Sequence, residues 1–156
     1  MSTRGAIVRV TGDKTFTGVY HHWDSYPDGL GKSLWSLYHE HFNKNLDNML
    51  KVLIDEHPAG WSTINQCDFN KEAGFNEHGD NGEPERKNRP QCYCHGDRHE
   101  FASVINEKNI RNSWIEYLYA FKDNHMIISR NGSDSLTKLA DVDLNGKEPN
   151  WEKLEF

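Results

Sequence analysis

Hydrophobic and β-branched residues alternate with polar ones near both ends of the chain. At the N-terminal end, the runs AIVRV (residues 6–10) and FTGVYHH (residues 16–22) flank a turn-rich link at residues 11–14, a pattern typical of a β-hairpin. At the other end, SWIEYLYAFK and HMIISR flank Asp123-Asn124, which is a second hairpin pattern. The sequence therefore predicts one hairpin near each end.

Two stretches between these hairpins have apolar residues at the three- and four-residue spacing of a helix. The first contains Leu34, Leu37, Tyr38, His41 and Phe42, and the second contains Leu46, Met49, Leu50, Leu53, Ile54 and His57. Pro58 and Gly60 end the second stretch. Since only residues 43–45 separate the two stretches, we expect an antiparallel helix pair.

The order of these elements defines the expected architecture. Residues 71–90 contain almost no apolar side chain beyond Phe75, which predicts a long polar loop that is mobile or acts as a lid. We predict an α+β fold in which a mostly antiparallel sheet, built from the N- and C-terminal hairpins, is covered by the antiparallel helix pair. The 156 residues (1–156) are expected to form a single domain.

Composition and charge narrow the classes of partner. A net charge of −6 and a pI near 5.8 argue against binding to a nucleic-acid polymer. No apolar run approaches the roughly 20 residues of a membrane span, so no membrane partner is expected. The chain has three cysteines, and an odd number fits a reducing compartment, so we expect a cytoplasmic protein.

One stretch, GVYHHWDSYPDGLGKSLW (residues 18–35), contains more polar and aromatic side chains than packing requires. It places a strand end directly before a predicted helix, where backbone N–H groups and the helix dipole can receive an anionic group. Its aromatic residues could also be core residues, and His21 or His22 with Asp24 could contribute to a metal site. We favour a ligand pocket, with these candidates from the stretch: Tyr20, His22, Trp23, Asp24 and Tyr26.

Two other segments could complete such a pocket. Trp61 follows the end of the second predicted helix and could line a cleft. In the segment RPQCYCHGDRHE (residues 89–100), a tight turn at Gly96 would present the Arg98 guanidinium to a phosphate or carboxylate, with Asp97 orienting it. We therefore add Trp61, Asp97 and Arg98 to the candidate ligand-binding residues.

The same segment concentrates candidate metal ligands. Cys92, Cys94, His95 and His99 lie within eight residues, and Cys67 precedes them. Cys-x-Cys-His is a poorer match to a zinc site than Cys-x-x-Cys, and the alternative is a strand in which the cysteines are small buried hydrophobic residues. We keep zinc as a possible cofactor, with these candidate ligands: Cys67, Cys92, Cys94 and His99.

The stretch GVYHHWDSYPDGLG resembles a signature of small phage and prophage proteins, in which Tyr-x-His-Trp-Asp-Gly-Tyr-Pro precedes a glycine and a helix. The later run GDRHE (residues 96–100) resembles an Asp-Arg-Gly-Glu segment of the same proteins. The matching positions are Tyr20, His22, Trp23, Asp24, Tyr26, Pro27, Gly31, Asp97, Arg98 and Glu100. The resemblance implies a phage or mobile-element context. Small phage proteins with aromatic, arginine-bearing pockets include sponges that sequester cyclic nucleotide or ADP-ribose-type immune signals.

These features lead to three hypotheses for function. The first is a non-catalytic protein of the host cytoplasm that binds and sequesters a small nucleotide-like signal, with no required cofactor. The second is a metal-assisted hydrolase acting on a nucleotide phosphoester, with acid–base or metal-ligand chemistry from His21, His22, Asp24, His95 and His99. The third is a protein-binding inhibitor of a host factor. We favour the first. Because many signal-binding proteins place their sites between subunits, a homo-oligomer is a further expectation.

Overall fold

The computed structural model describes residues 2–75, 89–96 and 99–154. Within these ranges the chain forms eight strands that belong to one sheet. Their bounds are β1 Gly5–Val10, β2 Phe16–His21, β3 Trp61–Thr63, β4 Gln91–Cys92, β5 Ile105–Asn106, β6 Tyr117–Lys122, β7 His125–Asn131 and β8 Leu136–Asp143. The longest strands come from the two ends of the chain, and the middle of the chain contributes only short ones.

Short helical segments occupy the chain between β2 and β3, and two further turns follow later. Their bounds are π-helical turns at Pro27–Gly31, Leu37–His41 and Lys51–Asp55, 3-10 turns at Ile110–Asn112 and Trp151–Leu154, and the two α-helices α1 Lys32–Ser36 and α2 Leu46–Leu50. The Asn45 side chain caps α2 by accepting a hydrogen bond from the Asn48 N–H. Among the described residues, no helix is long and apolar enough to cross a bilayer.

The sheet is mixed, with the strand order β4-β3-β2-β1-β6-β7-β8. The pairs β1–β2, β3–β4, β6–β7 and β7–β8 are antiparallel. β2 pairs with β3 and β1 pairs with β6 in parallel, and β5 pairs antiparallel with β2. The predicted α+β fold with a mostly antiparallel sheet is therefore confirmed. The two parallel pairings join strands far apart in sequence, which local patterns do not predict.

Two clusters of buried side chains pack against the sheet. The larger one joins the strand residues Ile7 and Tyr119 to helical residues such as Leu34. The smaller one contains Ala6, Val8, Ile105, Ile110, Ile115, Leu118 and Ala120. Ile7 belongs to the larger cluster and its neighbours Ala6 and Val8 to the smaller. Because side chains alternate along a strand, the two clusters lie on opposite faces of the sheet.

The connections between elements are described to different extents. Between β6 and β7, Asp123 and Asn124 have φ angles of 50° and 62°. Asp and Asn tolerate this left-handed conformation, which a type I′ hairpin turn requires at both central positions.

The predicted polar loop at residues 71–90 is described only near its ends, and residues 76–88 lie outside the described residues. Its lid role therefore stays a prediction.

A substitution at Leu53 tests the packing of the helical region against the sheet. Leu53 is fully buried in the larger cluster, whereas the adjacent Val52 is only partly buried. We expect Leu53→Ala to lower the free energy of unfolding by about 2–5 kcal/mol, because a cavity adds to the lost burial. Val52→Ala is the matched control and should cost clearly less. Urea unfolding followed by tryptophan fluorescence measures both, and equal losses would contradict this packing.

Candidate functional site

His21, at the end of β2, is fully buried and hydrogen-bonded through both ring nitrogens. The Ile64 N–H donates to Nε2 at 3.0 Å, and Nδ1 lies 2.8 Å from Ser25 Oγ. Because a backbone N–H can only donate, Nε2 carries no proton, which assigns the proton to Nδ1 as a donor to Ser25. The Ser25 hydroxyl donates to the His21 carbonyl at 3.1 Å. This network ties the segment after β2 to the segment after β3.

The environment of His21 also determines its charge. Burial, and to a smaller extent the neighbouring His22, lowers the pKa of His21 to about 3, so the ring is neutral at pH 7. The same segment is held from the sheet, because the Tyr119 hydroxyl donates to the Ser25 carbonyl at 2.5 Å. With both ring nitrogens already paired inside the protein, His21 positions the neighbouring segment and is not available as a metal ligand or acid–base group.

A sharp turn follows β2 and shapes the stretch that the sequence singles out. Asp24 has a φ of 53°, a left-handed conformation that Asp tolerates better than most residues. Its carbonyl accepts hydrogen bonds from the Leu30 N–H at 3.0 Å and from Asn65 Nδ2 at 3.1 Å. A Cβ at Gly29 would lie 2.3 Å from the Asp24 carbonyl oxygen. The close approach of these two backbone segments therefore requires glycine at position 29.

A cavity of about 710 Å³ opens beside this turn. That volume lies within the range of small-molecule sites. Its lining comes from the turn, from the helical region and from the chain that includes the end of β3: Trp23, Asp24, Tyr26, Asp28, Gly29, Lys32, Ser33, Ser36, Leu37, Glu40 and residues 63–67. The Trp23 side chain is 44% exposed, so it offers an aromatic surface on which a planar ligand can stack.

Asn65, a residue of this lining, has a buried acceptor without a partner. Its Nδ2 donates to the carbonyls of Trp23 and Asp24 at 3.2 and 3.1 Å. Because both partners are acceptors, they fix the orientation of the amide group. The Oδ1 atom is buried and has no hydrogen-bond partner among the described residues. A buried acceptor without a partner is unfavourable, so the amide is held here by its two donor contacts alone.

The predicted ligand-binding residues of the opening stretch lie on two neighbouring surfaces. Trp23, Asp24 and Tyr26 line the cavity, whereas Tyr20 lines a second, more open depression. The Tyr20 hydroxyl lies 2.5 Å from His22 Nδ1. The His22 ring meets the Trp23 ring edge-on, with the ring centroids 4.7 Å apart. His22 therefore connects the two surfaces without lining the cavity.

The other predicted ligand-binding residues do not join this set. Trp61 is 0% exposed, and its indole N–H donates to the Leu53 carbonyl at 2.9 Å. The ring fills the core beneath the helical region, so it has no surface to offer a ligand, contrary to the expectation that it lines a cleft. A large apolar ring gains more free energy from burial there. Asp97 and Arg98 lie outside the described residues.

Four donor side chains converge beside β4 and could hold a metal ion: His57, Cys92, Cys94 and His95. We call these residues the metal cluster. All their donor atoms lie within 4.8 Å of one another. Burial, with a smaller contribution from His95, lowers the pKa of His57 to about 4. Its imidazole is therefore neutral at pH 7, the form in which histidine binds metals.

The metal cluster differs in part from the ligand set predicted from the sequence. It contains the two predicted cysteines near β4, but His57 and His95 take the place of Cys67 and His99. Cys67 instead lines the cavity, and His99 is exposed. The sequence did not predict His57 as a ligand, because His57 fits the helical spacing of the preceding apolar residues. The Cys-x-Cys-His run could have indicated a further ligand, since a zinc site with three donors close in sequence needs a fourth from elsewhere in the chain.

No family model, curated protein or solved structure matches this chain. Function is therefore inferred from the cavity and from the metal cluster. The resemblance to small phage proteins rests on the quoted residues and stays an expectation.

The buried, neutral His21 predicts a specific pH dependence of stability. Its pKa is about 3 in the folded protein and about 6.5 in the unfolded chain. Between these values the unfolded chain binds a proton that the folded protein does not. Stability therefore falls as the pH decreases below about 6.5, by about 2 kcal/mol at pH 5 from this group alone.

The variant His21→Asn isolates this contribution, because asparagine keeps a donor and an acceptor but does not titrate in this range. We expect it to be less stable at pH 7 and to lose less stability between pH 7 and pH 5 than the original protein. Urea midpoints at several pH values provide the measurement. Identical pH profiles for the two proteins would contradict the assignment of a neutral, buried His21.

Proposed function

We propose that the protein is a non-catalytic binding protein that sequesters a small nucleotide-like signal in the cavity beside Trp23. The observation that carries the proposal is a cavity of ligand size that has the exposed indole of Trp23 in its lining. An aromatic surface suits stacking with a base. The carboxylates of the same lining suit the hydroxyl groups of a ribose.

The charges of the lining narrow the class of nucleotide. The carboxylates of Asp24, Asp28 and Glu40 outnumber the single ammonium of Lys32. Carboxylates accept hydrogen bonds from ribose hydroxyls but repel phosphates. An ADP-ribose-type signal carries more free hydroxyls for its two phosphates than a cyclic dinucleotide does. We therefore favour an ADP-ribose-like ligand, with its base against Trp23 and a phosphate near Lys32.

The hydrolase alternative is less well supported. Among the described residues, no histidine lines the cavity. His21 is buried and engaged inside the protein. The metal cluster supplies four protein ligands of the kind that zinc prefers, and a catalytic zinc site usually keeps one position open for water or substrate. The arrangement is therefore better suited to binding than to turnover.

A separate observation favours the protein-binding alternative as a second candidate. Phe101 is 92% exposed and Trp114 is 83% exposed, and large apolar side chains at the surface are typical of protein-interaction sites. A pull-down from host lysate tests this candidate. Capture that is lost in a Phe101→Ser, Trp114→Ser double variant, while the folded state is retained, would support an inhibitor of a host factor.

Three broader expectations belong to the same proposal. The phage context follows from the resemblance of the opening stretch to small phage proteins, and the ligand would then be an immune signal of the host. An antiparallel helix pair covering a sheet built from terminal hairpins would provide the scaffold. A homo-oligomer, measured by light scattering, would fit a signal-binding protein whose site lies at a subunit interface.

Substitution of Trp23 tests the binding proposal. We expect the original protein to bind an ADP-ribose cyclic isomer in isothermal titration calorimetry, and Trp23→Ala to weaken that binding roughly 5-fold to 150-fold. This loss corresponds to the removal of about 1–3 kcal/mol of stacking. Trp114→Ala is the matched control, because it removes an exposed tryptophan that does not line the cavity, and it should leave the affinity unchanged.

Mass spectrometry of the ligand released by heating the complex separates binding from turnover. Recovery of the intact compound supports sequestration, whereas a hydrolysed product supports the enzyme alternative. A calorimetric trace without heat of binding for both ADP-ribose cyclic isomers and cyclic dinucleotides would contradict the proposal. Equal losses of affinity in Trp23→Ala and Trp114→Ala would also contradict it.

A further inference from the structure

The metal cluster joins two parts of the chain that are far apart in sequence. His57 follows the π-helical turn Lys51–Asp55, while Cys92 ends β4 and Cys94 and His95 lie just after it. We infer that these four residues form a structural zinc site that fixes β4 to the end of the helical region. The inference goes beyond ligand binding in the cavity and is independent of it.

The distances in the cluster suit a tetrahedral ion. Cys92 Sγ lies 3.3 Å from His95 Nδ1, and Cys94 Sγ lies 3.2 Å from the same nitrogen and 3.5 Å from His57 Nδ1. In a zinc tetrahedron, with bonds of about 2.3 Å to sulfur and about 2.0–2.1 Å to nitrogen, adjacent sulfur and nitrogen atoms are roughly 3.5 Å apart. These three sulfur–nitrogen pairs are therefore already within a few tenths of an ångström of the tetrahedral spacing, and the remaining donor pairs lie within 4.8 Å.

The donor set selects zinc among the common metals. Two thiolates and two imidazoles are a frequent ligand set of structural zinc. Calcium and magnesium prefer oxygen ligands, and the cluster contains no carboxylate. Iron–sulfur clusters are usually held by four cysteines, whereas the described chain brings only two cysteines to this place.

Burial of the ligands indicates a closed site with one accessible side. His57 and Cys92 are buried, Cys94 is partly buried and His95 is exposed. The His57 ring also packs against Trp61, with ring centroids 4.4 Å apart, which holds its orientation. An ion bound here is shielded by the core on one side and has four protein ligands, so no position remains for a substrate.

The surrounding backbone shows what the ion would stabilise. β4 has only two residues and lies at the edge of the sheet, where it pairs with β3. A strand this short is weak by itself. The Tyr93 N–H donates to the Gly60 carbonyl at 3.0 Å, which adds one further link. A zinc ion bridging His57 to the β4 segment would cross-link both sides of this contact and hold the edge strand in register.

The turn that follows His95 restricts the backbone at the metal cluster. Gly96 has a φ of 70°, and a Cβ there would lie 2.4 Å from the Phe75 carbonyl oxygen. The Phe75 N–H donates to the His95 carbonyl at 3.2 Å. A residue other than glycine could not follow His95 without moving Phe75. The backbone of the ligand His95 is thus fixed by a neighbouring segment.

The first experiment uses the original protein and does not depend on any variant. We expect protein purified without chelator from zinc-supplemented cells to contain one zinc per chain by elemental analysis. Thiol alkylation read by peptide mass spectrometry should then leave the partly buried Cys94 unmodified. Addition of a strong chelator should make Cys94 reactive and leave the reactivity of Cys67 unchanged. Cys67 is the internal control, because it lies outside the metal cluster.

Substitutions then assign the ligands. We expect Cys92→Ser, Cys94→Ser and His57→Ala each to lower the bound zinc from one per chain to little or none, and chelation of the original protein to lower its thermal midpoint by at least about 5 °C. The matched controls Cys67→Ser and His99→Ala change the two residues of the sequence-based set that lie outside the cluster. Both should keep one zinc per chain.

The outcomes separate this inference from its alternatives. If a ligand variant fails to fold, cobalt substitution of the original protein replaces it, and the strong visible absorption of tetrahedral Co²⁺ with thiolate ligands is then the expected result. Protein that binds neither zinc nor cobalt would overturn the inference, as would zinc retained by Cys92→Ser and Cys94→Ser but lost in Cys67→Ser. Ligand binding in the cavity enters none of these readouts, so either proposal can fail alone.

Discussion

The buried imidazole of His21 holds together the part of the molecule on which the candidate site depends. One ring nitrogen accepts from the Ile64 N–H and the other lies against Ser25, so a single side chain connects the chain after β2 to the chain after β3. Burying a polar ring without such partners would be costly. The hydrogen bonds to the two ring nitrogens offset that cost, and they also hold the turn that carries Trp23 against the core. A site on this turn is therefore supported by the rigid part of the fold.

The same constraint explains why two adjacent histidines have different roles. His21 faces the core and is neutral because burial lowers its pKa. His22, the next residue, is partly exposed, contacts Tyr20 and Trp23, and also has a lowered pKa, chiefly through burial and then through Arg4. The two adjacent histidines could be interpreted as one metal site or one catalytic pair. Because side chains alternate at the end of a strand, their rings lie on opposite sides instead.

Much of the fold could be predicted from local patterns, and the site only in part. The helical spacing that places Leu34, Leu53 and Met49 on a buried face is a local property, and all three are buried. Trp61 was harder to place, because its neighbours in sequence do not reveal that it enters the sheet as β3. His57 and the cysteines near β4 meet only through the tertiary fold. The left-handed turn at Asp24 could have been predicted from the sequence, because Asp is one of the few residues that tolerate this conformation.

β3 connects the two candidate sites, although it has only three residues. On one side Trp61 pairs with Cys92 of the metal cluster, and its ring packs at a tilt against the His57 ring. On the other side, the carbonyls of Trp61 and Ser62 accept hydrogen bonds from the N–H groups of His22 and Trp23 at 3.0 and 3.1 Å. An ion that fixes β4 against β3 would therefore also restrict the backbone that carries Trp23. A strand so short depends on both neighbours for its order, so the metal cluster and the cavity share one structural support without sharing a ligand.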